Sequence, residues 1–87
     1  MTYTIEYRSS VKKDMRRLDA ETVRRIDAAI LALAENPRPP KCVKLAGNSD
    51  LWRIRVGDYR VLYEINDQIL VVLLISVAHR REAYRGL

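Results

Sequence analysis

Three arginines on one predicted hairpin are the residues of this sequence best suited to chemistry. Residues 52–63 alternate apolar and polar side chains on both sides of Gly57-Asp58, which predicts two antiparallel strands joined by a two-residue turn. In that register Arg55 lies opposite Arg60, and Arg53 shares their face. Opposed arginines repel by a few tenths of a kcal/mol. We therefore expect an anion between them, because guanidinium donors match phosphate oxygens. The alternative is an ordinary solvated strand face.

A second polar cluster, HRREAYR at positions 79–85, follows the most apolar run of the chain. This position predicts a strand end beside the arginine face. Histidine is the side chain that most readily exchanges a proton near neutral pH, so His79 is a candidate acid or base. Tyr84 could stack on a nucleotide base. The alternative for His79 is an ordinary surface histidine at the end of a strand.

Together these side chains fit RNA cleavage without a metal. The ribose 2′-hydroxyl attacks the adjacent phosphate, and cationic groups stabilise the charge that develops. One proton must also be accepted and another donated. Arginine meets the first need well and the second poorly, because its pKa above about 12 makes it a weak base.

Composition restricts the class of protein. The chain has 87 residues, which indicates one domain spanning 1–87, and its net charge of +5 favours a polyanionic partner such as RNA. Cys42 and His79 are the only residues of their types, so no disulfide, metal site or cofactor is expected. No run reaches the length of a membrane helix. We expect a cytoplasmic protein that does not bind membranes.

The first half of the chain predicts a strand and two helices. Residues 2–7 alternate as a strand does, and Ser9 or Ser10 is expected to cap a helix. Asp19 is expected to cap a second helix, which ends before the proline-rich segment 36–40. The predicted apolar stripes of the two helices are Val11, Met15 and Leu18, and Val23, Ile26, Ile30 and Leu33.

The second half predicts strands at 51–56, 59–65 and 69–77, with a short edge strand at 41–45. The fold class is therefore α+β: an N-terminal strand and an antiparallel helical hairpin packed on one face of a small, mainly antiparallel sheet. The opposite face of that sheet is where function is expected.

The stretches KLAG (44–47), LWRIRVGDYRVLY (51–63) and ISVAHRREAYR (75–85) resemble the central and C-terminal signatures of the RelE/ParE toxin superfamily. The resemblance covers essentially the whole chain. It implies a microbial-ribonuclease-like fold, ribosome-dependent mRNA cleavage in the A site of the 30S subunit, and a cognate RelB-like antitoxin. The antitoxin segment is expected to be acidic where it meets the sheet and to use apolar residues left on the hairpin, such as Leu31 and Ala34.

The same resemblance assigns roles to individual residues. It implies phosphate contacts for Arg53 and Arg55, one of whose positions is often a proton-abstracting lysine, and transition-state stabilisation for Arg60. Lys44, which precedes the hairpin, is also expected to contact the substrate. In the tail it implies assistance to the leaving group by Arg80 or Arg81, base stacking by Tyr84 and a substrate contact by Arg85.

The sequence departs from this pattern because arginine stands at both 53 and 55, which leaves the general base open, with His79 as a substitute. ParE-type toxins share the fold but poison DNA gyrase and lack the nuclease residues, so retention of the arginines and Tyr84 favours the RelE type. A binding module that docks RNA or an acidic partner without cutting is the third reading.

Overall fold

The computed structural model describes residues 2–45, 47 and 50–79. Its elements are β1 (Thr4–Tyr7), α1 (Ser9–Arg16), α2 (Ala20–Glu35), β2 (Val43–Lys44), β3 (Leu51–Val56), β4 (Tyr59–Asn66) and β5 (Val71–His79). The five strands form one sheet in the order β1-β5-β4-β3-β2. β1 runs parallel to β5, and the other neighbours are antiparallel. The predicted α+β class is confirmed.

The two helices begin in different ways. The predicted serine cap of α1 is wrong, because Arg8 occupies the N-cap position and makes no side-chain cap bond. The Ser10 hydroxyl instead donates to the Ile75 carbonyl at 2.8 Å, which ties α1 to β5. The predicted cap of α2 is confirmed, since the Asp19 carboxylate accepts from the Thr22 amide at 3.4 Å. That bond lowers the pKa of Asp19.

The core lies between the helical hairpin and one face of the sheet. The predicted stripe of α2 packs there, with three of its four residues buried and Val23 half-buried. A buried Ile or Leu side chain contributes about 1.5–3 kcal/mol relative to an exposed one. The buried apolar residues are Val11, Ile26, Ile30, Leu33, Ile54, Val61, Tyr63, Ile65, Val72, Leu74 and Val77.

The other face of the sheet, here called the open face, carries the remaining side chains of the strands. Alternation along each strand assigns them, with the ladder register linking one strand to the next. Its members on the described strands are Thr4, Glu6, Val43, Leu51, Arg53, Arg55, Arg60, Leu62, Glu64, Asn66, Val71, Leu73, Ser76 and Ala78.

The largest boundary error concerns β5, which was predicted at 69–77. Asn66 caps the turn before it, because its side-chain oxygen accepts from the amides of Gln68 and Ile69 at 3.0 and 3.2 Å. Leu70 then adopts φ 55°. The strand therefore starts two residues later and includes His79, which had been assigned to the tail. β1 and β2 are each shorter than predicted, and β4 is one residue longer.

A β-bulge at Ile75 changes which face the end of β5 presents. Leu62 pairs with Ser76, whereas Tyr63 pairs with Leu74, so Ile75 is the extra residue. Without the bulge, residues 76 and 78 would continue the core-facing set of Val72 and Leu74. The bulge shifts the alternation by one residue and turns Val77 and His79 toward the helices instead.

The proline-rich segment is fixed to the sheet by two polar contacts. The buried Tyr63 hydroxyl donates to the Pro37 carbonyl at 2.7 Å, and burial raises the pKa of Tyr63. Arg38 donates both terminal nitrogens to Asp67, at 2.8 and 3.2 Å. This pair, together with the Tyr3 hydroxyl, lowers the pKa of Asp67 to about 2.

Candidate active site on the open face

The β3–β4 hairpin has the predicted register. Arg55 pairs with Arg60, and Arg53 pairs with Leu62. The two-residue turn works because Gly57 adopts φ 60°, which a residue with a Cβ adopts only at a cost. The predicted grouping of the three arginines on one face of the sheet is therefore confirmed.

The three guanidinium groups differ in their surroundings. Arg55 is exposed, and its Nε donates to the Gly57 carbonyl at 2.9 Å, which directs the side chain along the turn. Arg53 and Arg60 are half-buried. No ion pair within the described part of the chain involves Arg53 or Arg55, although Asp67 neutralises Arg38 on the other side of the sheet. Arg53 and Arg55 therefore keep donors available for an anion.

Leu62 lies at the centre of this region. Arg53 and Ser76 flank it on the two neighbouring strands, and Arg60 and Glu64 lie two residues before and after it on β4. Ladder geometry puts the first two about 5 Å and the last two about 7 Å away between Cα atoms. We call these five residues the Leu62 site. It combines an apolar floor with two cations, a carboxylate and a hydroxyl.

Three members of this site, Leu62, Glu64 and Ser76, were not among the predicted site residues. Glu64 had a usable signal, because it continues the alternation of Arg60 and Leu62 on the same face. Ser76 had none, since only the bulge at Ile75 brings it beside Leu62. Ala78, next along the open face of β5, pairs with Arg60.

His79 does not lie beside the arginine face, so that prediction is wrong. It pairs with Tyr59 on the helix side of the sheet, where the two rings meet edge to face with centroids 5.4 Å apart. It also borders a polar cavity of about 160 Å³ that Asp14 and Arg17 of the α1 region line. The bulge at Ile75 is the physical reason, because it reverses the alternation that would have pointed His79 the other way.

Lys44 is likewise separated from the three arginines. It pairs with Trp52 on the helix side, and its ammonium lies 5.9 Å from the centre of the Trp52 ring. Arg38 approaches the same ring at 5.1 Å, so both cations make cation–π contacts there. The predicted tail residues Arg80, Arg81, Tyr84 and Arg85 lie outside the described residues.

The side chains and helices of residues 2–45, 47 and 50–79 also bear on metal ions and membranes. No cluster of three or more histidine, cysteine or acidic side chains is arranged there to hold an ion. Within the same ranges, no helix has the length and apolar character to cross a bilayer. The chemistry that the Leu62 site offers is anion binding beside a carboxylate.

An apolar groove of about 470 Å³ borders the arginine face. It lies between α2 and β3, and Pro39 and Pro40 also line it. Arg55 and Lys41 also line it. A predicted phosphate-binding residue, Arg55, is therefore part of the groove wall. The apolar lining consists of Ala29, Ala32, Leu33, Ile54 and Val56 together with the two prolines.

Comparison with known proteins gives consistent matches along the whole chain. A family model described as the ParE toxin of type II toxin–antitoxin systems matches residues 5–84. Toxin RelG of Mycobacterium tuberculosis is 32% identical over 98% of this chain and 99% of its own length. The mRNA interferase toxin RelE of Escherichia coli is 27% identical, over 95% of this chain and 88% of its own.

A solved structure of similar fold supports the same assignment. The toxin chain of the archaeal RelE–RelB complex from Pyrococcus horikoshii superimposes with a TM-score of 0.83 at 32% identity, covering 92% of this chain and 97% of that one. The sequence match and the fold match thus agree over nearly the full length. The chain belongs to the RelE/ParE toxin superfamily.

Proposed function

We propose that this protein is the toxin of a type II toxin–antitoxin pair and that it cleaves mRNA on the ribosome. The observation that carries the proposal is the grouping of Arg53, Arg55 and Arg60 on one open sheet face. Similarity to a toxin named an mRNA interferase adds support over nearly the whole chain. Opposed like charges are unfavourable in the free protein, so their arrangement makes sense as an anion site.

The mechanism uses the substrate's own 2′-hydroxyl as the nucleophile. Arg53 and Arg55 hold the phosphates that flank the scissile bond, because a guanidinium binds two phosphate oxygens in one plane. Arg60 stabilises the charge on the phosphorane-like transition state. Tyr84 stacks on a base, and Arg80 or Arg81 assists departure of the 5′-oxygen, as the family pattern implies. Removing one such electrostatic contact typically costs about 10²–10³ in rate.

Ribosomal RNA is the second expected partner, through the exposed basic face of α1. Lys12, Lys13, Arg16 and Arg17 cover one continuous arc of α1 and its C-cap, opposite the buried Val11. No ion pair within the described residues neutralises them. Cationic surfaces of this kind bind nucleic-acid backbones with strong salt dependence. A ribosome-bound activity would be cytoplasmic.

The cognate antitoxin is the proposed inhibitor, and the α2–β3 groove suits it. A RelB-like segment would fill the groove with apolar side chains and meet Lys41 and Arg55 with acidic ones. Leu31, 62% exposed on α2, is available to extend this contact. The solved relatives include RelE–RelB complexes, which supports an antitoxin of that type. Occupying Arg55 would remove a phosphate contact.

The test is cleavage of ribosome-bound mRNA after controlled expression, with 5′ ends mapped against the reading frame. We expect cuts within A-site codons that disappear in Arg60→Ala and Tyr84→Ala. Arg24→Ala removes an exposed helical arginine and is the matched control. Growth arrest by the wild type without such cuts would refute the proposal.

Poisoning of DNA gyrase is the second candidate, favoured by the ParE description of the family model. It predicts gyrase-dependent DNA breaks and no mRNA cuts. It also predicts that Arg60→Ala remains toxic, because the open-face arginines would then contact no scissile phosphate. The two candidates therefore give opposite results with the same variants. If the wild type produces neither lesion, the chain is a non-catalytic RNA-binding module or a toxin that has lost its activity.

A further inference from the structure

The mechanism above lacks a proton acceptor on the open face. Arginine cannot fill this role near neutral pH, because its guanidinium holds its proton too tightly. His79 lies on the helix side of the sheet, so a proton from a substrate on the open face would have to cross the sheet to reach it. The required group must be sought among the residues that share a face with Arg53 and Arg60.

We infer that Glu64 is the general base of the proposed cleavage, accepting the proton of the ribose 2′-hydroxyl. This inference rests on the proposed function. Glu64 is an exposed residue on the open face, where Leu51 and Leu73 are its ladder partners. It takes part in no hydrogen bond or ion pair within the described part of the chain, so its carboxylate is available to a substrate.

The register brings Glu64 within reach of the same substrate as the arginines. Leu62 separates it from Arg60 along β4, and Arg53 lies diagonally across the β3–β4 ladder. Such diagonal neighbours are about 7–8 Å apart, and Arg60 and Glu64 are about 13 Å apart between Cα atoms. Extended arginine and glutamate side chains can therefore converge on one nucleotide above Leu62. The phosphate would meet the arginines and the 2′-hydroxyl the carboxylate.

The step balances without a further reagent. The Glu64 carboxylate takes the 2′-hydroxyl proton while the 2′-oxygen forms a bond to phosphorus. The bond from phosphorus to the 5′-oxygen breaks, and that oxygen takes a proton from water while a tail arginine stabilises its negative charge. The products are a 2′,3′-cyclic phosphate and a 5′-hydroxyl end, and Glu64 later returns its proton to water.

The chain offers a matched control in Glu6. It lies on the open face of β1, with Leu73 of β5 between it and Glu64. Two strand spacings, about 10 Å, therefore separate the two carboxylates, and Glu6 is farther still from Arg53. Glu6→Gln and Glu64→Gln make the same chemical change on the same face, and both residues are exposed. A general effect of charge would appear in both variants.

The experiment is single-turnover cleavage of mRNA on programmed ribosomes, with binding measured separately on mRNA carrying a 2′-deoxyribose at the cut. We expect Glu64→Gln to slow cleavage by about 10²–10⁴-fold, the usual range for a lost general base. Binding should be unchanged or tighter, because a negative charge has been removed. Glu64→Asp should recover part of the rate, and Glu6→Gln should match the wild type.

A sulfur atom in place of the scissile 5′-oxygen separates the base from the acid. Sulfur leaves without protonation and needs little help from a cation, so this substrate should rescue whichever of Arg80→Ala and Arg81→Ala is slow, but not Glu64→Gln. The acid limb of the wild-type pH–rate profile should also be absent in Glu64→Gln.

Three outcomes would overturn the assignment. They are a Glu64→Gln rate within about threefold of the wild type, rescue of Glu64→Gln by sulfur, and a loss of binding that explains the whole defect. A wild type that cuts no mRNA would instead refute the proposed function itself.

Discussion

The opposed pair Arg55 and Arg60 predicts that phosphate stabilises this protein and that Arg55→Gln abolishes the effect. The two residues are direct partners across the β3–β4 ladder, so their charges repel by a few tenths of a kcal/mol. Replacing Arg55 relieves that repulsion but removes its exposed bond to Gly57, which contributes about 0.5 kcal/mol. The two terms nearly cancel, and the unfolding free energy should change by less than about 0.5 kcal/mol.

The effect of ligand is larger than this difference. Inorganic phosphate at ten times its dissociation constant would stabilise the wild type by about 1.4 kcal/mol. For a domain below 100 residues, that corresponds to a rise of about 6–11 °C in melting temperature. Arg55→Gln should melt close to the wild type without phosphate and rise much less with it. Thermal unfolding followed by circular dichroism measures both quantities.

Two controls make the comparison specific. Phosphate also stabilises proteins generally by exclusion from their surface, so the informative quantity is the difference between proteins at one phosphate concentration. Arg24→Gln removes an exposed arginine from α2 and should keep the full phosphate response. Equal phosphate responses in the wild type and Arg55→Gln would refute the anion site. A loss above about 1.5 kcal/mol in Arg55→Gln without phosphate would show that Arg55 has a structural role instead.

Three further predictions concern the segments that hold the site in place. Tyr63→Phe leaves the buried Pro37 carbonyl without its donor and should cost about 1–2 kcal/mol in urea unfolding, whereas a wild-type midpoint would show that the bond contributes nothing. Asp67 should contribute to stability above its unfolded pKa of 3.8 and lose that contribution as pH falls toward about 2, because its folded pKa is lowered by Arg38. The urea midpoint of the wild type should therefore fall more steeply than that of Asp67→Asn between about pH 4 and 2. Equal changes of the two midpoints across this pH range would contradict the prediction. Gly57→Ala should lower the unfolding free energy by about 1 kcal/mol, since the new Cβ meets only ordinary contacts at 3.7 Å while the positive φ is unfavourable, and an unchanged melting temperature would show that the turn relaxes.

The hairpin could be predicted from sequence because its information is local. Period-two alternation and a two-residue turn containing Gly57 fix the register, and the register fixes which side chains share a face. The α2 cap at Asp19 is also local, since it depends on a carboxylate three residues before Thr22. The α1 start was harder, because Ser10 uses its hydroxyl on the distant Ile75 carbonyl instead of on its own helix.

The position of His79 could not be predicted from local pattern. The apolar run that forms β5 reads as one strand, and nothing in its composition marks Ile75 as the extra residue. The bulge becomes visible only from the pairing of β5 with β4. This one extra residue places Ser76 and Ala78 on the open face and moves His79 to the helix side. The same dependence on tertiary pairing explains why Ser76 was missed.

Stability and proposed chemistry use opposite faces of the same sheet. The helix side holds the buried core, the Tyr63–Pro37 bond and the Arg38–Asp67 pair. The open face holds exposed Arg55 and Glu64 and the half-buried Arg53 and Arg60. Exposed polar substitutions away from caps and cores usually change stability by less than about 0.5 kcal/mol. Replacing Arg55 or Glu64 should therefore leave the core intact, so a lost activity in those variants would reflect the reaction and not unfolding.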